Sequence, residues 1–245
     1  MDNKKNERLL FLKEQLDFFQ QIGAEYFPSA LTSDSPAAQP YRAAQRTRNT
    51  GRSEDTNHQL EVFASLEKTI LSCKKCPLAA ARTQAVPGEG NKKADLLFIG
   101  EGPGRDEDLQ GKPFVGRAGQ LLTKIIEAMK FTREDVYITN IVKCRPPQNR
   151  NPEPGEIEHC HPYLLQQIEL IQPRTIVTLG KVAAEFFIPH MKSIGAVRGQ
   201  FHLYRDIPLM PTYHPSYLIR QPGNRSLRKM VWEDMQKVMA LLDGS

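Results

Sequence analysis

The four cysteines of the chain are spaced like metal ligands. Cys73 and Cys76 form a C-x2-C pair, and Cys144 and Cys160 follow after long separations. A C-x2-C pair places two thiolates on one metal centre, and four thiolates suit either zinc or an iron–sulfur cluster. Structural zinc usually brings its second pair at equally short spacing, whereas Pro77 directly after Cys76 is typical of cluster-binding runs. Spacing alone places iron–sulfur modestly ahead of zinc, and four unligated thiols are the third alternative.

Two histidines flank the last cysteine and extend the set of possible ligands. His159 and His161 lie on either side of Cys160. Four thiolates already complete a tetrahedral set, so we expect both imidazoles to be surface or capping groups. No apolar run approaches the roughly 20 residues of a membrane span, and the N-terminus lacks the apolar core of a signal peptide. We therefore expect a cytoplasmic protein, in which cysteines bind metal more often than they form disulfides.

A glycine-rich loop follows the first apolar run of the main domain. Gly100, Gly102 and Gly104 alternate there, as in a phosphate-binding loop. A dinucleotide fingerprint requires a third glycine where Arg105 stands, and a P-loop requires a Lys-Ser or Lys-Thr pair that is missing. The glycines instead let the backbone turn and approach a flat, neutral ligand, with Glu101 projecting from the end of the strand. The alternative is an ordinary turn with exposed acids.

Three more side chains have chemistry that suits a nucleobase. Phe114 lies between glycines and after a proline, where a rigid ring either stacks on a base or anchors the core. Asn140 interrupts an apolar strand, and its amide either reads a base edge or bonds to the backbone. His214 precedes Pro215 and either donates to an anionic leaving group or is a plain loop histidine. Segment 216–229 then combines an apolar wedge with positive charges, which suits insertion into a duplex and contact with phosphates: Leu218, Ile219, Arg220, Arg225, Arg228 and Lys229.

Alternating apolar segments predict an α/β domain that positions these residues. We predict helices at 60–71, 117–130, 153–171, from 181 and at 225–242, and strands at 95–101, 136–142, 174–180, 197–204 and 207–213. Short strands separated by helices imply a parallel sheet with helices on both faces. Ligands of such sheets bind at the carboxyl ends of the strands. This rule brings the glycine loop, Asn140 and His214 to one edge of the sheet.

The N-terminal part of the chain differs in composition from this domain. Apolar residues at helical spacing predict an amphipathic helix within residues 1–28, and residues 29–57 form a flexible, basic linker before the domain at 58–245. Lys and Arg total 33 against 28 Asp and Glu, which gives a net charge of +5 and a pI near 9.0. This balance favours a polyanionic partner without naming it. The N-terminal segment is expected to bind a replication or repair protein or to add nonspecific DNA affinity.

Six motifs, in this order, carry a resemblance to a known family. They are GEGPGRDED, GKPFVGRAGQLL, ITNIVKCRPPQNR, IVTLG, AAEFF and YHPSYLIR. The stretch from about 66 to 242 closely resembles the family 4, or thermophile-type, uracil-DNA glycosylases. The resemblance implies a three-layer α/β/α domain with a central four-stranded parallel sheet. It also implies a structural 4Fe-4S cluster held by the four cysteines.

The resemblance assigns roles to individual residues of the predicted site. Glu101 corresponds to the acidic residue of the water-activating motif, and Gly102 lies in the same turn of the pocket wall. Phe114 matches the ring that stacks on uracil, Asn140 the amide that reads its Watson–Crick edge, and His214 the histidine near uracil O2.

Two further positions of this sequence match the family with less defined roles. Asn149 corresponds to another active-site asparagine, and Glu107 to the position near C5 that excludes the thymine methyl group. Gly102 departs from the commonest form of the motif, in which alanine stands at this position. No basic insertion follows Phe114, so we predict no covalent DNA adduct.

The implied activity is that of a monofunctional DNA glycosylase. Such an enzyme flips deoxyuridine out of double- or single-stranded DNA and hydrolyses the N-glycosidic bond, which leaves an abasic site. No lysine is placed to attack the sugar, so we expect no lyase activity. We expect the protein to act as a monomer. The alternatives are a non-enzymatic iron–sulfur protein that binds nucleic acid and a zinc-stabilised nucleotide hydrolase.

Overall fold

A computed structural model describes residues 53–244, with side chains from residue 58 onward. The predicted N-terminal helix and most of the predicted linker lie outside the described residues. The helix expected from residue 60 begins at Ser53, so its first turns take in the end of the segment that composition assigned to the linker. No helix within the described part of the chain is long and apolar enough to cross a membrane.

A single mixed sheet organises the described residues. Its strands are β1 (Glu89–Gly90), β2 (Leu96–Gly100), β3 (Tyr137–Asn140), β4 (Thr175–Leu179), β5 (His202–Tyr204) and β6 (Ile207–Thr212). They lie in the order β1-β3-β2-β4-β6-β5, and the central four are parallel, as predicted. The two edge strands are antiparallel and extend the expected four-stranded sheet to six strands. The strand predicted at 197–204 is shorter, because a helical turn takes its beginning.

Nine α-helices of the described region surround this sheet. They are α1 (Ser53–Leu71), α2 (Leu78–Ala81), α3 (Arg105–Gln110), α4 (Arg117–Ala128), α5 (Pro154–Ile171), α6 (Lys181–Phe187), α7 (Ile194–Val197), α8 (Pro215–Arg220) and α9 (Arg225–Asp243), and a 3-10 turn spans Pro147–Asn149. Successive side chains of a strand point to opposite faces. Phe98 of β2 therefore packs against α4 and α9, whereas Leu97 and Ile99 pack against α1 and α5. The domain has the predicted three layers, α/β/α.

The register of the central strands brings the candidate residues together. Gly100, the last residue of β2, lies opposite Asn140, the last residue of β3. On the other side of β2, β4 ends at Leu179 and β6 at Thr212, two residues before His214. The carboxyl ends of four parallel strands thus form one rim, where the loops after β2, β3 and β6 meet.

Candidate active site and cysteine cavity

Gly100 has no Cβ, which leaves space for the ring of Phe114 and the amide of Asn140. A Cβ at this position would lie 2.5 Å from Cζ of Phe114 and closer still to Oδ1 of Asn140. Real Cβ atoms do not approach other atoms this closely, so only glycine permits the arrangement. The predicted stacking ring and the predicted base-reading amide therefore meet at the end of β2.

The loop that carries Phe114 is held in an unusual conformation. Phe114 has a φ of +52°, a left-handed conformation that non-glycine residues rarely adopt and that surrounding contacts must stabilise. The Glu107 carboxylate accepts the backbone N–H groups of Val115 and Gly116, each at 2.9 Å, and that of Gly104 at 3.1 Å. The contacts of Glu107 thus fix the loop that presents the ring.

The side chain of Asn140 has an unmet acceptor. It is 1% exposed, and its Oδ1 is buried with no hydrogen-bond partner among the residues that the structure describes. An unsatisfied buried acceptor costs about 1–3 kcal/mol. An unpaired buried acceptor at the rim of the sheet is typical of a ligand-binding group. The ligand must offer a hydrogen-bond donor to this oxygen.

His214 is a neutral imidazole with a defined tautomer. Its Nδ1 accepts the backbone N–H of Ser216 at 3.1 Å, which makes it the N-cap of α8 and leaves the ring proton on Nε2. Burial, helped by the charge of Arg220, lowers the pKa of His214 from 6.5 to about 4. The ring lies 5.7 Å from that of Phe114, centroid to centroid. Gly180, with a φ of +91°, permits this position, because its Cβ would lie 2.8 Å from that of His214.

Glu101 follows Gly100 directly and lies beside this cluster. Its carbonyl accepts the N–H of Val142 at 3.1 Å, which ties the glycine loop to the segment after β3. Burial raises the pKa of its carboxyl group, which makes the carboxylate a stronger base. The neighbouring Gly102 packs tightly, since a Cβ there would lie 2.7 Å from Cγ2 of Val142. An alanine at Gly102 therefore requires Val142 to move.

All four cysteines line one cavity between α1, α2 and α5. Cys144 and Cys160 are buried, and Cys73 and Cys76 are partly exposed. Within residues 53–244, no three His, Cys, Asp or Glu side chains are placed to hold a single metal ion. Four thiols that line one cavity can ligate either an iron–sulfur cluster or a zinc ion.

Hydrogen-bond donors point at two of these sulfur atoms. Arg82 donates to Sγ of Cys144 at 2.8 Å, and the backbone N–H of Lys143 donates to Sγ of Cys160 at 3.2 Å. Such donors stabilise thiolates and are typical of sulfur atoms that bind metal. As free thiols, Cys144 and Cys160 have pKa values raised by burial, to about 11 for Cys160. A bound cation would reverse this shift.

Comparison with known proteins decides the family. Residues 87–236 match the uracil DNA glycosylase superfamily. The chain is 49% identical over 184 residues to the type-4 uracil-DNA glycosylase of Saccharolobus solfataricus, which covers 71% of this chain and 84% of that protein. This chain belongs to the type-4 uracil-DNA glycosylase family. The type-4 enzyme of Thermotoga maritima is 46% identical over 184 residues, covering 74% and 95% of the two chains. A type-5 uracil-DNA glycosylase of Thermus thermophilus is 27% identical over 215 residues, covering 71% and 95%.

In this type-4 family member, one predicted site residue is exposed and another is buried in the core. Asn149 is exposed at the end of the 3-10 turn, where its Oδ1 accepts from Nε of Arg145 at 2.7 Å. Leu218 is the buried one, and its insertion into DNA stays a prediction. It was expected to insert into a duplex, but it is 2% exposed and packs in the core between α8 and α4. Insertion of Leu218 would require α8 to unpack from the domain.

The outer side of α8 offers other groups to DNA. Arg220 is exposed in the last turn, and its guanidinium lies 6.0 Å from the ring of Tyr217. Tyr217 is 36% exposed and lies 5.5 Å from Tyr213, centroid to centroid. Sequence reasoning missed this aromatic pair, although both tyrosines flank the His-Pro-Ser motif. The type-4 chain thus presents an aromatic and cationic surface beside His214.

A buried lysine links the cysteine cavity to the predicted base-reading residue. Lys143 is 1% exposed and lines the cavity. Its ammonium group donates to Oγ1 of Thr139 at 2.6 Å, to the carbonyl of Asn140 at 2.7 Å and to Oε1 of Gln167 at 2.7 Å. Burial lowers the pKa of Lys143 to about 7. Its position between Asn140 and Cys144 in ITNIVKC was the signal that sequence reasoning did not use.

The two histidines beside Cys160 lie at the surface of α5, His159 exposed and His161 partly exposed. His159 also lines the cysteine cavity, so its exclusion as a ligand stays a prediction. Nδ1 of His159 lies 2.6 Å from the carbonyl of Gly155, and Nδ1 of His161 lies 3.2 Å from that of Ile157. Each contact joins a ring to the carbonyl four residues earlier in α5, so each Nδ1 must donate. Both rings therefore bond to their own helix, and the four thiols stay the candidate ligands of this family member.

Proposed function

We propose that this chain excises uracil from DNA: it hydrolyses the N-glycosidic bond of deoxyuridine and leaves an abasic site for base excision repair. The observation that carries the proposal is the meeting of Phe114, Asn140 and His214 at the rim of the sheet. The names of the type-4 relatives support it. The base must leave the duplex to reach this site, because Phe114 and Asn140 are buried.

Base recognition rests on Phe114 and Asn140. The Phe114 ring offers a flat apolar surface on which uracil stacks. The unpaired Oδ1 of Asn140 accepts the N3–H of uracil, while the amide nitrogen donates to O4. Cytosine presents an unprotonated N3 and an amino group at the same edge, so it would face Asn140 acceptor to acceptor and donor to donor. The pair therefore selects uracil over cytosine.

Bond cleavage rests on His214 and Glu101. As the glycosidic bond breaks, negative charge develops on uracil and positive charge on the sugar. The Nε2–H of His214 donates to O2 of the leaving uracil, and a preorganised donor of this kind contributes about 3 kcal/mol. Glu101 orients the attacking water and offsets the charge of the sugar. Exclusion of thymine by Glu107 stays a prediction, because both of its carboxylate oxygens hold the loop.

DNA binding rests on the surface beside the pocket. Arg220 contacts a phosphate, and the Tyr213–Tyr217 pair packs against the bases next to the flipped nucleotide. A contribution of residues 1–57 to DNA affinity or to binding a repair partner, and a monomeric, cytoplasmic state, stay predictions.

We propose a 4Fe-4S cluster as the resident cofactor of Cys73, Cys76, Cys144 and Cys160. The lining of one cavity by all four cysteines and the donors aimed at two of their sulfurs support it. When bound, the cluster supplies a structural link between α5, the segment after β3 and the loop between α1 and α2. Zinc is the alternative, and it predicts a colourless protein with stoichiometric zinc.

The test uses an oligonucleotide with a single uracil, followed by alkali to cleave abasic sites. The wild-type chain is expected to yield strand cleavage only after alkali. Glu101→Ala and His214→Ala should each lower the rate at least about 100-fold. Lys124→Ala, on the exposed side of α4, is the control and should retain full activity. An intact strand with the wild type would show that the proposed function is wrong. Full activity in both site variants would show that the catalytic roles given to Glu101 and His214 are wrong. DNA binding without released uracil would favour the non-enzymatic alternative.

A further inference from the structure

Arg133 forms hydrogen bonds with the backbone on one side of the loop that carries Phe114. Its Nη2 donates to the carbonyl of Pro113 at 2.8 Å, and its Nη1 donates to that of Phe114 at 3.2 Å. The same guanidinium donates to Oγ1 of Thr123 at 3.2 Å and pairs with Glu89 at 3.0 Å. One planar group therefore fixes two consecutive carbonyls and is itself held by α4 and β1.

Glu107 forms hydrogen bonds with the backbone on the other side of the same loop. Its carboxylate accepts the two N–H groups that follow Phe114, those of Val115 and Gly116. The peptide groups before and after Phe114 are thus each held by a charged side chain. Phe114, between them, has a left-handed φ of +52°. We expect Phe114 to leave this conformation if the hydrogen bonds from either charged side chain are lost.

We propose that Arg133 is a positioning residue for uracil excision, acting through Phe114. It holds the ring against Asn140 and His214 before DNA arrives, so the pocket loses little entropy when the base enters. This inference rests on the proposed function. The inference predicts a coupling between the two residues. Loss of Arg133 should slow uracil release when Phe114 is present to stack on the base, and should have little effect when Phe114 is replaced by alanine.

Lys112 provides a matched control. Its ammonium group pairs with the same carboxylate of Glu89, at 2.9 Å. Within the described residues, the side-chain hydrogen bonds to the carbonyls of Pro113 and Phe114 come from Arg133 and not from Lys112. Lys112→Met removes one positive charge that pairs with Glu89 and keeps the hydrogen bonds from Arg133 to the loop. Arg133→Met removes both a positive charge and these hydrogen bonds. The difference between the two variants isolates the contacts with the loop.

The experiment is a double-mutant cycle with Arg133→Met, Phe114→Ala and the double variant. Uracil release is measured in single turnovers with excess enzyme. The same cycle is measured as affinity for an oligonucleotide with 2′-fluorinated deoxyuridine, which binds without being cleaved. We expect Arg133→Met to lower both quantities about tenfold in the wild-type background and less than about twofold in the Phe114→Ala background. Lys112→Met should change them less than about twofold.

Equal losses in both backgrounds, or a loss as large in Lys112→Met, would overturn the inference, because Arg133 would then act on the fold alone. If Arg133→Met does not fold, Arg133→Lys takes its place in the cycle with the same expected result. An ammonium group can pair with Glu89 but cannot span both carbonyls. An inactive wild-type chain would instead overturn the proposed function.

Discussion

The backbone N–H of Ser216 donates to Nδ1 of His214, and this hydrogen bond assigns the proton of the imidazole to Nε2. The same bond caps α8, so the turn that begins the helix also aims the donor at the pocket. A neutral donor fits the proposed chemistry, since the leaving uracil gains charge without taking a full proton.

The first prediction follows from the pKa of His214, which burial lowers to about 4 from 6.5. Between these two values the unfolded chain binds a proton that the folded chain does not. The free energy of unfolding should therefore fall as the pH is lowered from 6.5 to 4. His214→Gln removes this contribution and should flatten the fall, as measured by urea unfolding across that range. Identical slopes for both proteins would contradict the assignment.

The second prediction concerns Gly100. Its replacement by alanine would push a methyl group into Phe114 and Asn140. We expect Gly100→Ala to lower uracil release at least about 100-fold, since small displacements in an active site carry large costs. Gly155→Ala in α5 is the control: its Cβ meets nothing within 4 Å, so activity should not change. Equal activity of Gly100→Ala and the wild type would refute the packing described for the pocket.

The third prediction concerns the buried ammonium group of Lys143. Lys143→Met keeps most of the side chain but removes the donor to Oγ1 of Thr139, the carbonyl of Asn140 and Oε1 of Gln167. Methionine carries no charge, so the cost of burying the ammonium group disappears and offsets part of this loss. We expect the free energy of unfolding to fall by about 2 kcal/mol. Uracil release should also slow, because the peptide of Asn140 is freed. Urea unfolding is the measurement, and the exposed Lys124→Met should unfold like the wild type.

The fourth prediction separates the candidate ligands of the cavity. Cys160→Ala should lose the iron and the absorbance near 400 nm that a cluster gives. His159→Ala should keep both, because the ring of His159 bonds to its own helix. Iron analysis of the purified variants is the measurement. Loss of iron from His159→Ala would mean that the histidine, rather than four thiolates alone, holds the metal.

Much of the site followed from sequence because strand ends and spacing are local signals. The apolar strands and the rule that ligands bind at their carboxyl ends predicted that Asn140 and His214 would share a rim with the glycine loop. The C-x2-C pair predicted a common cavity with Cys144 and Cys160.

The residues that sequence reasoning missed act across long separations. Arg133 contacts carbonyls 19 and 20 residues earlier, and Lys143 contacts Gln167 from 24 residues away. No periodicity reports such contacts. The burial of Leu218 in the free protein was not predicted, because α8 has only six residues, too few for an apolar face to be distinguished from an exposed wedge. The packing of α8 on α4 buries this side chain.

The central claim is that this pocket releases uracil from DNA and none of the normal DNA bases. The most direct measurement is mass spectrometry of the free bases and the DNA products after incubation with duplexes that contain a single uracil or only normal bases. We predict free uracil, an abasic site and an uncut strand from the first duplex, and no free thymine or cytosine from either. Absence of free uracil, or release of a normal base at a comparable rate, would contradict the account.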